Sequence, residues 1–290
     1  MKTDKLIILA GGISSRMKRP ASQEDLPEEL LKDADEKSKA MIGLGGNHRP
    51  FLDYLLYNAR EAGLRDIVIV VGEKDFSIRA YYGQKDRGNE FHGLKISYAI
   101  QKIPMNRKKP LGTADALQQA LEQFPEWKKG KFIVCNSDNL YSVNALKMLA
   151  EYEGPGAWID YDRNALEFSD GRISAFAVVQ KDSEGNLIDI IEKPTPEQLA
   201  FARGKDGTVG VSMNVWLLSG ELIAPFLLET PLHPIRQEKE LPEAILRMSR
   251  KHLGSMKAIP LKEHVPDLTS KEDIIPVREF IQVHYRHLHW

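Results

Sequence analysis

Residues 5–17 read KLIILAGGISSRM, and this stretch decides the fold. The apolar run Leu6–Leu9 predicts a short buried strand, which the two following glycines end. Glycine lets the backbone approach a ligand closely, and the N–H groups of such a loop can point at phosphate oxygens. Arg16 follows at a position from which its charge could neutralise a phosphate. Taken alone, the stretch fits a tight turn with a surface arginine and a phosphate-binding loop equally well.

The rest of the chain alternates strand and helix patterns around this stretch. In the first half, strands are predicted at residues 67–71, 95–101 and 132–135, and helices at residues 52–63, 114–124 and 143–152. In the second half, strands are predicted at residues 157–162, 173–180, 187–192 and 211–218, a hairpin turn at 182–185, and helices at 240–253 and 271–285. The alternation is typical of βαβ units. It predicts an α/β fold with a mixed, mostly parallel central sheet flanked by helices, and with a strand-rich second part.

The domain organisation follows from what the chain lacks. No repeat or low-complexity linker divides the 290 residues, so the sequence predicts one domain. Within it we expect a first part at 1–155, a second part at 156–270 and a C-terminal helix at 271–290. Residues 21–37 are acidic and predict an exposed insertion with a short surface helix. The histidines at 284, 287 and 289 could form a metal site, but a frayed, solvated tail is the expected structure.

Composition excludes several classes of protein. The chain has 42% apolar residues and a net charge of −1, so it can build a large core but lacks the basic surplus of nucleic-acid binders. No apolar run is long enough to cross a bilayer, and the N-terminus lacks the pattern of a signal peptide. Cys135 is the only cysteine, which excludes an intramolecular disulfide. We therefore expect a cytoplasmic protein that binds neither nucleic acid nor membrane.

Five further segments carry residues with two interpretations each. They are Lys39, Gly112–Thr113, Asp138, Glu192–Lys193 and Asp267. The ordinary interpretations are a solvated lysine, a capped helix start, an Asx turn, a charged strand end and another helix start. For Asp138, a ligand site is the alternative to an Asx turn, because this residue follows a buried strand and open α/β sheets place their ligand sites at such strand ends. Each segment is weak evidence alone, whereas their order and spacing together are informative.

The order of these segments resembles that of the sugar-phosphate nucleotidyltransferase family, the NDP-sugar pyrophosphorylases. The matching segments are LAGGISSRM, KAMIGLGGNHRPFLDYLL, GLKISYAIQ, PLGTADAL, FIVCNSDNL, IIEKP and the late Asp267 before TSKED. They extend from about Lys5 to about Ile275, which is nearly the whole chain. The resemblance implies a Rossmann-like nucleotidyltransferase fold of the GT-A-like type, in which the first part binds the nucleotide and the strand-rich second part binds the sugar.

The resemblance also implies a reaction, in which a nucleoside triphosphate and a sugar 1-phosphate give a nucleotide-sugar and pyrophosphate. The sugar phosphate oxygen attacks the α-phosphorus in line, and it is already an anion, so no general base is required. The protein must supply alignment and charge neutralisation. Mg²⁺ suits this role because it prefers carboxylate and phosphate oxygens, and the resemblance assigns it to Asp138 and Asp267.

The same resemblance gives a role to each remaining site residue. The catalytic cations are Arg16, Lys39 and Lys193. The nucleotide contacts are Leu9, Ala10, Gly11, Gly12, Gln101, Gly112 and Thr113, and the sugar contacts are Glu192, Lys193 and Asn214. The Gln101 amide offers a donor and an acceptor, which suits the O4 and N3–H of uracil or thymine, so UTP or dTTP is the expected nucleotide. The expected partners are an NTP and a sugar 1-phosphate, and a homo-oligomer is compatible with the sequence.

Several residues depart from the family pattern and keep alternatives open. Ser14 and Ser15 stand where sugar-transferring members commonly have Gly-Thr, and they resemble loops of cytidylyl- and guanylyltransferases that act on non-sugar phosphates. Ala177 replaces a glycine of the pair that helps to seat the sugar. Asn214 is either a sugar contact or a buried, satisfied amide. The alternative functions are therefore cytidylyl or guanylyl transfer to a non-sugar phosphate, and a catalytically silent sensor that binds a nucleotide-sugar.

The phosphate-binding lysine is also open. Lys39 follows Arg16 by 23 positions (39 − 16), a longer gap than the family pattern leads us to expect. Lys37 is for that reason a rival to Lys39.

Overall fold

Ten strands form one mixed sheet in the computed structural model, which describes residues 2–19, 26–204, 207–288 and 290. The strands are β1 (Lys5–Leu9), β2 (Asp66–Gly72), β3 (Asn89–Phe91), β4 (Leu94–Gln101), β5 (Lys131–Asn136), β6 (Ala157–Asp162), β7 (Val178–Lys181), β8 (Leu187–Ile191), β9 (Gly210–Ser219) and β10 (Lys257–Leu261). The sheet runs in the order β10-β6-β9-β5-β1-β2-β4-β3, and β7 pairs with β8 and β9. The sheet thus extends through both predicted parts, whose boundaries stay a prediction.

The strand β1 lies at the centre of the parallel region. It pairs in parallel with β2 on one side and with β5 on the other, and β4 continues beyond β2 in the same direction. Further along, β9 runs antiparallel between β5 and β6, and β10 pairs in parallel with β6. The predicted mixed, mostly parallel sheet is confirmed. Because the strand order reverses at β1, a crevice opens at the carboxyl edge beside it, where such sheets bind ligands.

Ten α-helices cover the sheet in the described part of the chain. They are α1 (Glu28–Glu36), α2 (Phe51–Glu61), α3 (Ser77–Tyr82), α4 (Thr113–Gln123), α5 (Val143–Glu151), α6 (Asp170–Ile173), α7 (Pro196–Ala202), α8 (Gly220–Glu229), α9 (Leu241–Lys251) and α10 (Ile274–His284). Side chains of α2 and α5 pack into one core, and side chains of α4, α8 and α9 pack into another. Residues of β1 divide between them: Leu6 and Ile8 join the first core and Ile7 the second, because successive strand residues face opposite sides of the sheet. None of the described helices is long and apolar enough to cross a membrane.

One predicted strand is wrong in its first half. Within residues 173–180, α6 ends at Ile173 and a turn follows, in which the Ala175 N–H donates to the Arg172 carbonyl at 3.0 Å. The strand β7 therefore begins only at Val178. The hairpin turn after it is confirmed, because the Gly185 N–H donates to the Asp182 carbonyl at 3.0 Å.

The strands β3 and β10 are absent from the sequence prediction. Further differences concern helices. The predicted helix at 271–285 begins with a 3₁₀ turn, Lys271–Asp273, before α10. The helix α8 is absent from the sequence prediction because Pro225 lies inside it, and proline usually interrupts a helical pattern. The predicted helix of the acidic insertion exists as α1, and its Leu30 and Ala34 are buried, so it is anchored to the core. Residues 21–25 of that insertion lie outside the described residues.

Tyr285 and Trp290 are packed, so the expected frayed tail is wrong at these residues, whereas the His284 and His287 side chains are exposed as expected. The Trp290 ring stacks on His92 at 4.8 Å, and its indole N–H donates to Asp53 Oδ2 at 3.2 Å. Tyr285 packs edge-on against Tyr54 with 5.1 Å between ring centroids. His289 lies outside the described residues.

Candidate active site

The glycine loop after β1 is shaped by its neighbours. A Cβ on Gly11 would lie 2.8 Å from Gln101 Oε1, so only glycine fits there, whereas nothing lies within 4 Å of a Cβ on Gly12. Before them, Ala10 is buried and its N–H donates to the Val70 carbonyl at 2.8 Å, which ties the loop to the sheet. Arg16 is exposed and makes no ion pair within the described residues. The loop is therefore open to a ligand, and its arginine is free to meet one.

A cleft of about 260 Å³ lies at the carboxyl edge of the sheet, beside the reversal in strand order. Its lining comes from β1, β5, the end of β8, β9 and the segment before α9. The lining residues are Leu9, Arg16, Thr113, Val134, Cys135, Asn136, Glu192, Asn214, Trp216, Arg236, Glu238, Glu240, Leu241 and Pro242. The cleft thus joins residues predicted to bind the nucleotide with residues predicted to bind the sugar.

Two carboxylates come together next to this cleft. Asp138 follows β5, and Asp267 lies opposite, because Asn139 and Asp267 form an antiparallel bridge and the Leu268 N–H donates to the Asp138 carbonyl at 2.8 Å. Burial and the nearby charge of Asp138 raise the pKa of Asp267. In the described part of the chain, no group of three or more His, Cys, Asp or Glu side chains could hold a metal ion alone. The donor set nevertheless fits Mg²⁺, because this ion commonly takes one or two carboxylates and fills its other positions with phosphate oxygens and water.

The structure brings Lys39, and not Lys37, to these carboxylates. Lys39 Nζ donates to Asp138 Oδ2 at 3.0 Å from the 3₁₀ turn Lys39–Met41. Lys37 Nζ instead pairs with Asp33 Oδ1 at 2.7 Å, one turn back at the end of α1. The long gap after Arg16 is filled in part by α1, which the sequence pattern predicts but whose path it does not fix.

Arg172 is a site residue that sequence reasoning missed. Its Nη2 donates to Asp267 Oδ2 at 2.8 Å and to the Asp267 carbonyl at 3.2 Å, and its Nη1 pairs with Asp273. The Thr269 hydroxyl donates to the other Asp267 oxygen at 2.7 Å. Arg172 lies in α6, one residue before the predicted strand at 173–180, and its partners are distant in sequence. No local pattern therefore indicates it.

Gln101 is buried, with 3% of its surface exposed, at the end of the site that the sequence predicts to bind the base, which we call the base end. Its amide nitrogen donates to the Gly112 carbonyl at 3.0 Å and to Asp115 Oδ2 at 2.9 Å. Since both partners can only accept, they fix the amide orientation and use both of its protons. In this arrangement only the oxygen of Gln101, beside Gly11, is left for a base. The contact of Gln101 with a base stays a prediction.

Gly112 and Thr113 tie the base end to the segment before α9. Gly112 has φ +112°, and a Cβ there would lie 2.4 Å from the Lys239 carbonyl oxygen. The expected helix cap at Thr113 is wrong: Gly112 is the N-cap, and the Thr113 hydroxyl accepts from the Leu241 N–H at 2.9 Å. These contacts bring three charged residues that sequence reasoning missed, Arg236, Glu238 and Glu240, to the cleft.

The end of the site that is predicted to bind the sugar, which we call the sugar end, is more exposed. Both oxygens of Glu192 accept from Arg236 Nη2, at 2.9 and 2.8 Å, and the same nitrogen donates to Glu240 at 2.8 Å. Lys193 has a φ of +47° and is exposed, without an ion pair in the described part of the chain. Glu192 lines the cleft and Lys193 does not, although it lies beside the rim.

Asn214 occupies a bulge in β9. Between the pairs Trp158–Trp216 and Asp160–Ser212, β6 advances by two residues and β9 by four (216 − 212), so β9 holds two extra residues there. Asn214 adopts φ +57° and lines the cleft, and its side-chain amide makes no hydrogen bond to the described residues. Of the two interpretations from sequence, an amide open to a ligand fits this geometry.

The fold and the site together define a class: an α/β protein with a glycine loop, paired cations and two carboxylates at the strand-order reversal of its sheet. Residues 5–223 match the nucleotidyl transferase family, and the chain belongs to it. The predicted family is therefore confirmed.

Known relatives and structures are consistent with this assignment. The chain is 26% identical over 239 residues to the small subunit of glucose-1-phosphate adenylyltransferase, chloroplastic/amyloplastic, of Triticum aestivum, covering 77% of this chain and 47% of that one. It is 25% identical over 191 residues to glucose-1-phosphate adenylyltransferase of Anaeromyxobacter dehalogenans, covering 66% and 42%. It thus spans about half the length of these curated relatives. The crystal structure of UDP-glucose pyrophosphorylase complexed with UDP-glucose superposes with a TM-score of 0.68 at 18% identity, over 99% of this chain and 100% of that one, which shows the shared fold.

Proposed function

We propose that the chain catalyses nucleotidyl transfer from an NTP to a sugar 1-phosphate, releasing pyrophosphate. The observation that carries this proposal is the meeting of Asp138, Asp267 and Lys39 at the sheet edge that holds the glycine loop, in a chain of the nucleotidyl transferase family. A pure binding protein has no need of two adjacent carboxylates beside a phosphate loop. Phosphoryl-type transfer needs them to hold a divalent cation.

The proposed reaction is an in-line displacement. An anionic oxygen of the sugar phosphate forms a bond to the α-phosphorus, the bond from that phosphorus to its bridging oxygen breaks, and pyrophosphate leaves with the electron pair. Arg16 and Lys39 would neutralise the triphosphate, and Lys193 the phosphate of the sugar. Mg²⁺ held by Asp138 and Asp267 would supply further neutralisation of phosphate oxygens.

For the nucleotide, we propose UTP or dTTP, with ATP as the second candidate. Gln101 Oε1 would accept the N3–H of uracil or thymine, since the amide protons are committed to Gly112 and Asp115. The N6 amino group of adenine could donate to the same oxygen. ATP is favoured by the names of the two curated relatives, which are adenylyltransferases.

For the sugar, we propose a hexose 1-phosphate of the glucose type. Glu192 and the open amide of Asn214 face the cleft and offer acceptors and a donor to sugar hydroxyls. Arg236 holds the Glu192 carboxylate in place. The relatives named for glucose 1-phosphate support this choice.

The experiment is pyrophosphate release across a panel of substrates with Mg²⁺. ATP, UTP, dTTP, CTP and GTP are each combined with glucose, galactose and mannose 1-phosphates and with glycerol phosphate. Asp138→Asn should abolish turnover, while the matched control Asp86→Asn, an exposed aspartate at 81% side-chain exposure, should retain it. Turnover only with the alcohol phosphate would favour the non-sugar alternative. Nucleotide binding without turnover of any pair would favour the sensor.

Three expectations from the sequence stay predictions: the cytoplasmic location, the homo-oligomer, and the division into a nucleotide-binding and a sugar-binding part. The absence of nucleic-acid and membrane partners likewise stays a prediction.

A further inference from the structure

Each of the two carboxylates proposed to hold Mg²⁺ already has a cation of its own. Asp138 is paired with Lys39 at 3.0 Å, and Asp267 is paired with Arg172 at 2.8 Å. These pairs are shielded, since Lys39 and Arg172 expose 12% and 26% of their side chains. Shielding from water strengthens such pairs relative to ion pairs on the surface.

Two cations match the two proposed ligand carboxylates. Asp138 and Asp267 contribute two negative charges, and Lys39 and Arg172 contribute two positive ones. Asp273, the second partner of Arg172, adds a third negative charge nearby, and it also accepts the backbone N–H groups of Thr269 at 2.8 Å and Ser270 at 2.7 Å. A free divalent cation approaching the two carboxylates would therefore meet an ammonium and a guanidinium on the same oxygens.

The two cations differ in how firmly they are held. Lys39 Nζ bonds to Asp138 and to no other group among the described residues, and an ammonium is a compact charge that a phosphate can attract. Arg172 has three acceptors, Asp267 Oδ2, the Asp267 carbonyl and Asp273, and its guanidinium lies 4.6 Å from the centre of the Phe168 ring. Lys39 can thus be moved by a ligand, whereas Arg172 is fixed.

We propose that Lys39 and Arg172 are placeholder cations that offset the charges of the two ligand carboxylates, so that a divalent cation binds only together with a triphosphate. The triphosphate oxygens take Lys39 away from Asp138, which frees that carboxylate for the cation. Arg172 remains on Asp267 and weakens the affinity for any free cation. Arg172 is accordingly a positioning residue, and this inference rests on the proposed function only for the assignment of Asp138 and Asp267 as metal ligands.

The test measures binding of Mn²⁺ alone to the metal-free protein, from the electron paramagnetic resonance signal of free Mn²⁺, with no nucleotide present. Lys39→Gln and Arg172→Gln should each lower the Kd for Mn²⁺ by about tenfold, since each removes a positive charge from the ligand oxygens. The matched control Lys37→Gln removes an equal charge from Asp33 and should leave the Kd unchanged. Adding Asp138→Asn to Lys39→Gln should return the Kd to the wild-type value or above it.

Arg172→Lys keeps the charge and should stay within about twofold of wild type, which separates charge from fold if Arg172→Gln proves unstable. An unchanged or weaker affinity in Lys39→Gln would overturn the inference, because a lysine that merely supports the site cannot hinder the cation. The measurement is independent of turnover. If no substrate pair reacts but the Mn²⁺ affinities shift as stated, the proposed function fails and the inference stands. If turnover is found without these shifts, the inference alone fails.

Discussion

The two ends of the proposed site are held in different ways. At the base end, Gln101 is 3% exposed and shares a buried network with Asp115, and Gly112 packs directly on the backbone of Lys239. At the sugar end, Glu192 and Arg236 expose 47% and 42% of their side chains and are joined by an ion pair in contact with solvent.

Because of this difference, we expect the base end to contribute to the stability of the fold and the sugar end to determine which sugar is bound. Breaking a buried hydrogen bond costs about 1–3 kcal/mol when a donor is left unsatisfied, whereas a surface ion pair contributes about 0–1 kcal/mol. The base end is therefore part of the folded framework, and changes there should affect both the fold and nucleotide binding. The sugar end can change at little cost to folding, so we expect sugar selectivity to depend on few, replaceable contacts.

Gly112→Ala should produce the largest effect. The new Cβ would lie 2.4 Å from the Lys239 carbonyl oxygen in a backbone of φ +112°, so the segment before α9 must move. We expect a loss of about 2–3 kcal/mol in the free energy of unfolding and a large loss of turnover. Gly12→Ala is the control in urea denaturation, since nothing lies within 4 Å of its Cβ. Equal stability of the two variants would show that the base end is not rigid.

Asp115→Ala should come next. It leaves the amide nitrogens of Gln101 and Gln119 without their carboxylate partner, which should lower the free energy of unfolding by about 1–3 kcal/mol. Because Gln101 also loses its fixed orientation, KM for the NTP should rise more than KM for the sugar phosphate. Glu122→Ala on the same helix is the matched control, since the exposed Glu122 accepts, among the described residues, only from the Gln118 side chain. A rise confined to the sugar KM would contradict the assignment of the base end.

The same contrast explains how much could be predicted from sequence. The alternation of Leu6, Ile7 and Ile8 between two cores, and the glycines after them, are local patterns, so β1 and the loop are placed correctly. Asp138 and Asp267 are predicted as site residues because Asp138 follows a recognisable strand and Asp267 precedes a recognisable helix.

Residues that are positioned by contacts with residues distant in sequence cannot be predicted from such local patterns. Arg172 meets Asp267 and Arg236 meets Glu192 only once the sheet has formed, and Arg172 lies in a short helix that the sequence does not predict. The choice between Lys37 and Lys39 depends on the chain path around α1, which no spacing reveals.

Buried and exposed carboxyls should also differ in their effect on the pH dependence of stability. Burial raises the pKa of Asp53 from 3.8, despite the hydrogen bond from Trp290 and the charge of Arg49. A raised folded-state pKa means that the folded state binds more protons than the unfolded state, so this group lowers stability as pH rises above 3.8. The free energy of unfolding of Asp53→Asn should therefore increase relative to wild type between acidic and neutral pH.

The matched variant for this comparison is Asp182→Asn in the hairpin of the second part. Hydrogen bonds from Asn186 lower the pKa of Asp182, so its contribution has the opposite sign: it is present above 3.8 and is lost as pH falls through the lowered folded-state value. Urea denaturation at several pH values measures both variants. A parallel pH dependence for wild type and Asp53→Asn would show that Asp53 is not stabilised in its protonated form.

Arg236→Gln should have the smallest effect on stability and the most selective effect on kinetics. It removes an ion pair with Glu192 that is exposed to solvent, so the free energy of unfolding should change by less than about 1 kcal/mol. Glu192 would then be free to rotate, and KM for the sugar 1-phosphate should rise by about fivefold to tenfold, while KM for the NTP stays constant. Arg250→Gln, which breaks the exposed pair with Asp189, is the matched control and should change neither constant. If Arg236→Gln raised both KM values equally, the two ends of the cleft would be coupled, and the separation of framework from selectivity would not hold.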